Sequence, residues 1–199
     1  QILRLKRNGR PVAQGHLSLR DSFFNPSALT ETGLEPIFRD LAAQRARAID
    51  NMVVDELRNF LFGPPGAGGF DLVALNIQRG RDHGLATYYE ARIIFGLKPP
   101  RRFDEITSNV QVAARLEELY GQVEKVDLWV GGLAEDHVEG SQLGGLFHAI
   151  VKDQFERLRN CDRFWYERVY SGAELEEIRS TTLADVIRRN TRVGSELPD

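Results

Sequence analysis

The strongest constraint on the fold comes from a loop-forming run and the polar, glycine-containing segment after it. Residues 63–69 read Gly-Pro-Pro-Gly-Ala-Gly-Gly, a composition that breaks regular structure. The spacing of residues 72–83 then predicts a helix. One face of this helix carries Leu72, Asn76, Arg79 and His83. Gly80 and Gly84 would each cost about 1 kcal/mol in an exposed helix interior, which favours a place where something large lies close to the backbone.

Composition narrows the class of protein. The 199 residues are 42% hydrophobic and 28% charged, with a formal net charge of -3, which is typical of a globular protein. This charge, without a dense basic patch, gives no case for a nucleic-acid partner. No apolar run approaches the roughly 20 residues needed to span a bilayer. Cys161 is alone, which excludes an internal disulfide.

Helical spacing recurs along the chain, whereas strand signals are scarce. A long helix is expected over residues 36–62, because Pro36 suits a first-turn position and apolar residues recur at helical spacing. Further helices are expected over residues 88–95, 110–120, 142–159, 173–178 and 183–189. The fold class is therefore mainly α, multi-helical, with little β.

Several details of these helices follow from the same patterns. Ser108-Asn109 offers a cap for the helix over residues 110–120. Its inward residues are expected to be Val112, Leu116 and Leu119. In the helix over residues 142–159, one stripe contains Leu146, Ile150, Gln154 and Phe155.

Two segments are expected to lie outside regular helices. Residues 126–133 read as a hydrophobic connector with a hinge-like Gly131-Gly132. The composition turns polar after Asn190, so residues 193–199 are predicted to be a polar, frayed tail. Gln1 begins in mid-pattern without a cap, so we expect a processed or truncated piece whose missing signal peptide says nothing of its precursor.

The four histidines do not form a recognisable metal or catalytic pattern. His16 suits a surface turn, and His148 a core or interface position. His137 lies in an acidic loop that offers oxygen ligands for calcium but lacks the expected spacing and bidentate glutamate. Taken residue by residue, the sequence does not identify a reaction.

A family resemblance adds what the individual residues do not. Residues 75–85 read Leu-Asn-Ile-Gln-Arg-Gly-Arg-Asp-His-Gly-Leu, which resembles the signature of the animal-type haem peroxidases, the peroxidase–cyclooxygenase superfamily. Further segments resemble the family in family order over residues 55–62, 127–135, 154–159 and 162–166. The long loops of the vertebrate secreted members are missing, so the chain is more similar to bacterial members. The resemblance implies that residues 1–192 are the C-terminal, proximal part of a haem peroxidase domain.

The resemblance also assigns roles to individual residues. Asn76 matches the family's asparagine that accepts a hydrogen bond from the proximal histidine, which orients an axial imidazole. Arg79 matches the arginine that binds a haem propionate, a carboxylate suited to a guanidinium fork. The family's proximal haem pocket also contains apolar residues, which are matched here by Leu61, Phe62, Leu72 and Leu75. The alternative role for these four residues is core packing. Ion-pair or hydrogen-bond roles within the protein are expected for Arg81, Asp82 and His83.

The same resemblance places the catalytic residues and the iron ligand outside these 199 residues. His16 is rejected as the ligand, because residues 17–24 resemble a segment that follows the proximal histidine. The implied cofactor is haem b, with covalent attachment left open, and calcium is expected in the part of the polypeptide that carries the distal residues. The implied partners are the rest of the same peroxidase polypeptide, hydrogen peroxide and small donors. The implied location is secreted, periplasmic or extracellular.

Three functions remain open at this point. The first is a peroxidase that reduces hydrogen peroxide and oxidises halide or small organic donors. The second is a fatty-acid dioxygenase of the same superfamily. The third is a haem-free helical interaction scaffold, against which the pair Asn76 and Arg79 argues, because packing alone does not require it.

Overall fold

The computed structural model describes residues 2–60, 63 and 70–197, and these are mainly α-helical, as expected. Short 3₁₀ turns lie at Phe103–Glu105 and Val123–Lys125, and the antiparallel pairings in the described ranges are isolated bridges. The α-helices are α1 (Leu19–Ser22), α2 (Ser27–Thr30), α3 (Glu35–Ala43), α4 (Asp55–Asn59), α5 (Leu72–Asp82), α6 (Tyr88–Ile94), α7 (Val110–Tyr120), α8 (Leu128–Ala134), α9 (Gly145–Cys161), α10 (Tyr166–Val169), α11 (Gly172–Ser180) and α12 (Leu183–Asn190). Within the described ranges, each helix is too short or too polar to cross a bilayer.

The chain divides into two compact units. One comprises residues 1–47 together with 163–199, and the other comprises residues 48–162. In the first unit, Arg4 is only 2% exposed and its guanidinium donates to the backbone oxygens of Gln14 and Gly15 at 2.9 and 2.8 Å. These bonds, with the Arg4–Glu31 ion pair of 2.6 Å, compensate for burying the charge.

The second unit has one apolar core. Helices α6, α7 and α8 and the two 3₁₀ turns surround it, and the N-terminal end of α9 contributes a fully buried leucine. The core residues are Tyr88, Ala91, Phe103, Ile106, Ala113, Leu116, Val123, Val126, Ala134 and Leu146. Helix α7 begins at the expected cap, since the Asn109 side chain accepts from the N–H groups of Gln111 and Val112.

The long helix expected over residues 36–62 is not continuous: its described part is helical at α3 and α4 but not between them. Helix α3 ends at Ala43, because Gln44 adopts an extended conformation with ψ 137°. The Asp50 carboxylate accepts a 2.7 Å bond from the Met52 N–H, a local alternative to helical bonding. Met52 is 83% exposed, so the apolar spacing that suggested a helix does not mark a buried face.

The predicted hinge at Gly131-Gly132 is also wrong. Both glycines are buried inside α8. A Cβ on Gly131 would overlap the Tyr88 ring, and one on Gly132 would overlap the Phe147 ring. The absence of a side chain at these glycines therefore lets two aromatic rings pack directly against the backbone of α8.

The inward position predicted for Leu119 is wrong, because this side chain is 77% exposed. Phe155, on the predicted stripe of α9, is 66% exposed. In α7 the buried face is set by Ala113 and Leu116. In α9 only Leu146 is buried among the described side chains.

The predicted frayed tail is wrong over residues 193–197. Val193 and Leu197 are 2% and 5% exposed. The Glu196 carboxylate accepts a 3.0 Å bond from Arg39 Nε and another of 3.0 Å from the Gly194 N–H. These contacts anchor the segment within the first unit.

Candidate functional site

Helix α5 forms where the polar, glycine-containing segment predicts it. The Asp71 carboxylate caps its beginning by accepting from the N–H groups of Val73 at 2.9 Å and Ala74 at 3.1 Å. At its end Gly84 has φ 63°, and the Leu85 N–H donates to the Gly80 oxygen at 3.0 Å. This is a Schellman ending, in which the left-handed residue is the one that glycine adopts without strain.

Asn76 and Arg79 lie one turn apart on α5, as predicted. Asn76 is half-buried and Arg79 is exposed. Within residues 2–60, 63 and 70–197, the Asn76 side chain makes no hydrogen bond and the Arg79 guanidinium makes no ion pair. One face of α5 therefore carries an amide and a guanidinium that have no side-chain partner among the described residues.

Of the four apolar residues predicted beside this pair, the structure describes two. Leu72 is half-buried and Leu75 is 40% exposed, so neither serves as a fully buried core residue. Leu61 and Phe62 lie outside the described residues.

A cavity of about 330 Å³ separates α5 from the segment that leads into α8. Its lining includes Asn76, Gly80, Arg81, Asp127 and Trp129.

Arg81 makes the ion pair expected of it. Its Nε and Nη2 donate to the two carboxylate oxygens of Asp127 at 3.0 and 2.8 Å. The Tyr120 hydroxyl donates to Oδ2 of the same carboxylate at 2.7 Å. Arg81 is 56% exposed and Asp127 17% exposed at the side chain, so the pair contributes at most about 1 kcal/mol to stability. Its main consequence is orientation.

The charges of this network shift its pKa values in consistent directions. The hydrogen bond from Arg81 lowers the pKa of Asp127 below its usual range. Burial, together with the bond to Asp127, raises the pKa of Tyr120 to about 12. At neutral pH the network therefore contains a carboxylate, a guanidinium and a neutral phenol.

The next two residues of the signature behave differently from Arg81. Asp82 accepts a 2.7 Å bond from the Gln78 side chain within α5. His83 is exposed and ends the helix with its backbone N–H bonded to the Arg79 oxygen at 3.0 Å.

Sequence reasoning missed a buried polar network centred on Glu135. Its carboxylate accepts from the Tyr88 hydroxyl at 2.8 Å, from the Leu146 N–H at 2.7 Å and from the Arg92 guanidinium. Burial, followed by the contact with Glu135, raises the pKa of Tyr88 above its usual range. No local pattern links Tyr88 to Glu135, because 47 residues separate them.

The other histidines have structural contacts. His16 is half-buried, and its Nδ1 accepts from the Arg4 N–H at 3.1 Å, so it is more than a surface turn residue. His137 Nε2 lies 2.8 Å from the Ile49 oxygen. His148 is exposed beside Ser141, which excludes the core position from the two expected for it, core or interface. Among the described residues, no group of three or more His, Cys, Asp and Glu side chains is arranged to hold a metal ion.

The exposed face of α5 fits the chemistry expected of a haem-binding wall. Haem carries propionate carboxylates, for which the exposed Arg79 guanidinium is a suitable partner. An axial imidazole needs an acceptor for its second ring nitrogen, and the Asn76 amide oxygen can accept such a bond. Leu72 and Leu75 add apolar surface on the same side of the helix.

Known proteins resemble this chain over nearly its whole length. The family model described as animal haem peroxidase matches residues 1–199. Peroxinectin A of Dictyostelium discoideum is 46% identical over 175 residues, which cover 88% of this chain and 33% of that protein. The peroxidasin homolog of Homo sapiens is 36% identical over 208 residues, covering 98% of this chain and 14% of that protein. The chain thus spans a third or less of these relatives.

Solved structures have the same fold. Peroxidase A from Dictyostelium discoideum superposes with a TM-score of 0.86 at 43% identity, covering 96% of this chain and 37% of that one. A fatty acid alpha-dioxygenase from Arabidopsis thaliana superposes with a TM-score of 0.79 at 25% identity, covering 95% and 32%. Sequence and fold agree: this chain belongs to the animal haem peroxidase family.

Proposed function

We propose that this chain is the proximal, C-terminal part of a haem peroxidase, which reduces hydrogen peroxide and oxidises halide or small organic donors. The observation that carries the proposal is the pair Asn76 and Arg79 on one exposed face of α5, both without side-chain partners among the described residues. The match of the whole chain to the family supports it. The bound haem would supply the redox chemistry at its iron.

In this proposal the residues of this chain bind and orient rather than react. The Asn76 oxygen would accept a hydrogen bond from the histidine that binds the haem iron, a residue that we place in the rest of the polypeptide. A neutral amide leaves that imidazole less anionic than a carboxylate would. Arg79 binds a propionate. Leu72 and Leu75 would add apolar surface to the proximal pocket, and the same role is proposed from the family resemblance for Leu61 and Phe62.

The finer assignments belong to the same proposal. The cofactor is haem b, calcium binds in the part of the polypeptide that carries the distal residues, and the protein acts outside the cytoplasm. Extraction of the purified full-length protein with acidified acetone separates free haem from covalently attached haem. Elemental analysis of the same sample measures bound calcium.

A fatty-acid dioxygenase is the second candidate, favoured by the superposition on the Arabidopsis enzyme with a TM-score of 0.79. The peroxidase is favoured by the sequence identities of 35–46% between this chain and peroxinectin, peroxidasins and thyroid peroxidase. A haem-free scaffold is the third candidate.

One set of measurements on the full-length protein distinguishes these functions. A Soret band with peroxide-dependent oxidation of a phenolic dye supports the peroxidase. Oxygen uptake on addition of a fatty acid, without dye oxidation, supports the dioxygenase. A protein that has no Soret band after expression with added haem contradicts both.

A further inference from the structure

Asp127 occupies the position before α8 but does not cap that helix. An aspartate at an N-cap ordinarily accepts bonds from the first N–H groups of its own helix, and the Asp127 side chain makes no such bond. Its oxygens instead accept from Arg81 at 3.0 and 2.8 Å and from the Tyr120 hydroxyl at 2.7 Å. The carboxylate therefore connects α5 and the end of α7 to the beginning of α8.

Arg81 leaves the axis of α5 at a different angle from the proposed ligand-binding pair. With 3.6 residues per turn, Arg81 is about 140° around the helix axis from Asn76 and about 160° from Arg79. A rotation of α5 that displaces Asn76 and Arg79 must therefore also stretch the two bonds between Arg81 and Asp127.

Within the residues that the structure describes, α5 buries none of its side chains, whereas α6, α7 and α8 each bury two or more residues. The core of the second unit therefore does little by itself to fix the rotation of α5. A bidentate guanidinium–carboxylate pair is directional, and the third bond from Tyr120 restricts the carboxylate further.

We propose that Arg81, Asp127 and Tyr120 are positioning residues, which hold α5 in the rotation that lets Asn76 and Arg79 meet the haem site. We call these three residues the α5 clamp. This inference rests on the proposed function, because it assigns a role to the clamp only if Asn76 and Arg79 act on haem and its axial ligand.

The test uses the full-length haem protein and the resonance Raman band of the ferrous iron–imidazole stretch, which reports the hydrogen bond to the axial histidine. We expect Arg81→Ala and Asp127→Ala each to shift this band to lower frequency or split it. The double variant should resemble the single variants, because either change opens the same clamp. Arg81→Lys keeps the charge but loses the fork and should give an intermediate band.

The matched control is Arg115→Ala, which removes an exposed 2.6 Å ion pair with Glu118 in the same unit. It should leave the band at the wild-type position. Should Asp127→Ala fail to fold, Arg81→Lys and Tyr120→Phe decide the question, since both retain most of the side-chain volume. Thermal unfolding of each variant shows whether a shift occurs in a folded protein.

The outcomes separate this inference from the proposed function. Wild-type bands in folded Arg81→Ala and Arg81→Lys, together with a shifted band in Asn76→Ala, would overturn the clamp and leave the proposed function in place. Unchanged bands in all variants, including Asn76→Ala, would instead contradict the role of Asn76 on which both depend.

Discussion

The Tyr88 hydroxyl donates a 2.8 Å hydrogen bond to Oε1 of Glu135, and the two residues are 0% and 6% exposed. Glu135 also receives the Leu146 N–H and the Arg92 guanidinium. The bond joins the first turn of α6 to the residue that follows α8, the helix whose Gly131 packs on the Tyr88 ring. This network connects the helix after the α5 signature to the core of the second unit.

Tyr88→Phe and Glu135→Ala should both destabilise the protein, and Glu135→Ala should do so more strongly. Tyr88→Phe leaves one carboxylate oxygen with one donor fewer, and we expect a loss of about 1–3 kcal/mol. Glu135→Ala removes the acceptor of the Tyr88 hydroxyl and the counter-charge of the largely buried Arg92 guanidinium, and we expect about 3–5 kcal/mol. Denaturant unfolding of the full-length protein measures both. Equal, near-zero effects would contradict the network's role in stability.

The buried glycines of α8 should not tolerate even one added methyl group. Gly131→Ala would press on the Tyr88 ring and Gly132→Ala on the Phe147 ring, and we expect each to cost about 1–3 kcal/mol or more. The matched control is Gly145→Ala in α9, where the added Cβ would meet its nearest neighbour at 3.8 Å. The control should change stability by no more than about 0.5 kcal/mol. Destabilisation by the control equal to that by Gly131→Ala would show that overlap is not the cause.

Arg79→Ala should weaken haem retention without unfolding the chain. A hydrogen-bonded ion pair with a carboxylate contributes about 1.5–3 kcal/mol, so we expect haem loss to an excess of acceptor protein to accelerate about tenfold or more. Arg115→Ala, which removes an exposed arginine of the same unit, serves as the charge-matched control. If non-covalently bound haem is lost from Arg79→Ala at the wild-type rate, the assignment of Arg79 to the haem site is contradicted.

Acid should release the C-terminal segment of the first unit. The backbone N–H of Glu196 itself, the Arg39 guanidinium and the Gly194 N–H lower the pKa of Glu196 from 4.5 to about 2. Because the folded pKa is the lower one, this stabilisation is complete above pH 4.5 and disappears as the pH falls through about 2. The unfolding midpoint of wild type should therefore exceed that of Glu196→Gln at pH 6, and by a smaller margin at pH 3.

Glu118→Gln provides the control for the loss of one negative charge, since Glu118 is 64% exposed at the side chain. The difference between this control and wild type should not follow the same pH dependence. A constant difference between wild type and Glu196→Gln across this range would contradict the pKa assignment.

Local signals in the sequence predicted much of the helical structure. The cap at Asn109 correctly placed α7, and the spacing of residues 72–83 correctly placed α5. These predictions succeed because caps and short-range periodicity act within a few residues.

The errors arose where distant contacts decide the conformation. Asn51 donates to the Val130 oxygen at 3.1 Å, 79 residues away, in a stretch whose local pattern favoured a helix. Gly131 and Gly132 were read as a hinge because the Tyr88 and Phe147 rings that cover them are distant in the sequence. Val193 and Leu197 were read as part of a tail because the composition around them is polar, although both are buried.

In the candidate site, too, local spacing could be predicted from the sequence and distant contacts could not. The roles of Asn76 and Arg79 came from a family resemblance and remain proposals, and their shared helical face follows from spacing alone. The partner of Arg81 is 46 residues away and needed the structure. Leu61 and Phe62 lie outside the described residues, so their role in the proximal pocket stays a prediction.

The most direct test of the account is the ferric–ferrous reduction potential of the full-length haem protein with Asn76 replaced by aspartate. A carboxylate partner makes the axial imidazole more anionic and stabilises ferric iron. We therefore expect Asn76→Asp to lower the potential by about 60 mV or more, equivalent to a tenfold change in a one-electron equilibrium, and Asn76→Ala to loosen the axial ligand. A potential and spin state identical to wild type in both variants would contradict the place of Asn76 beside the iron ligand.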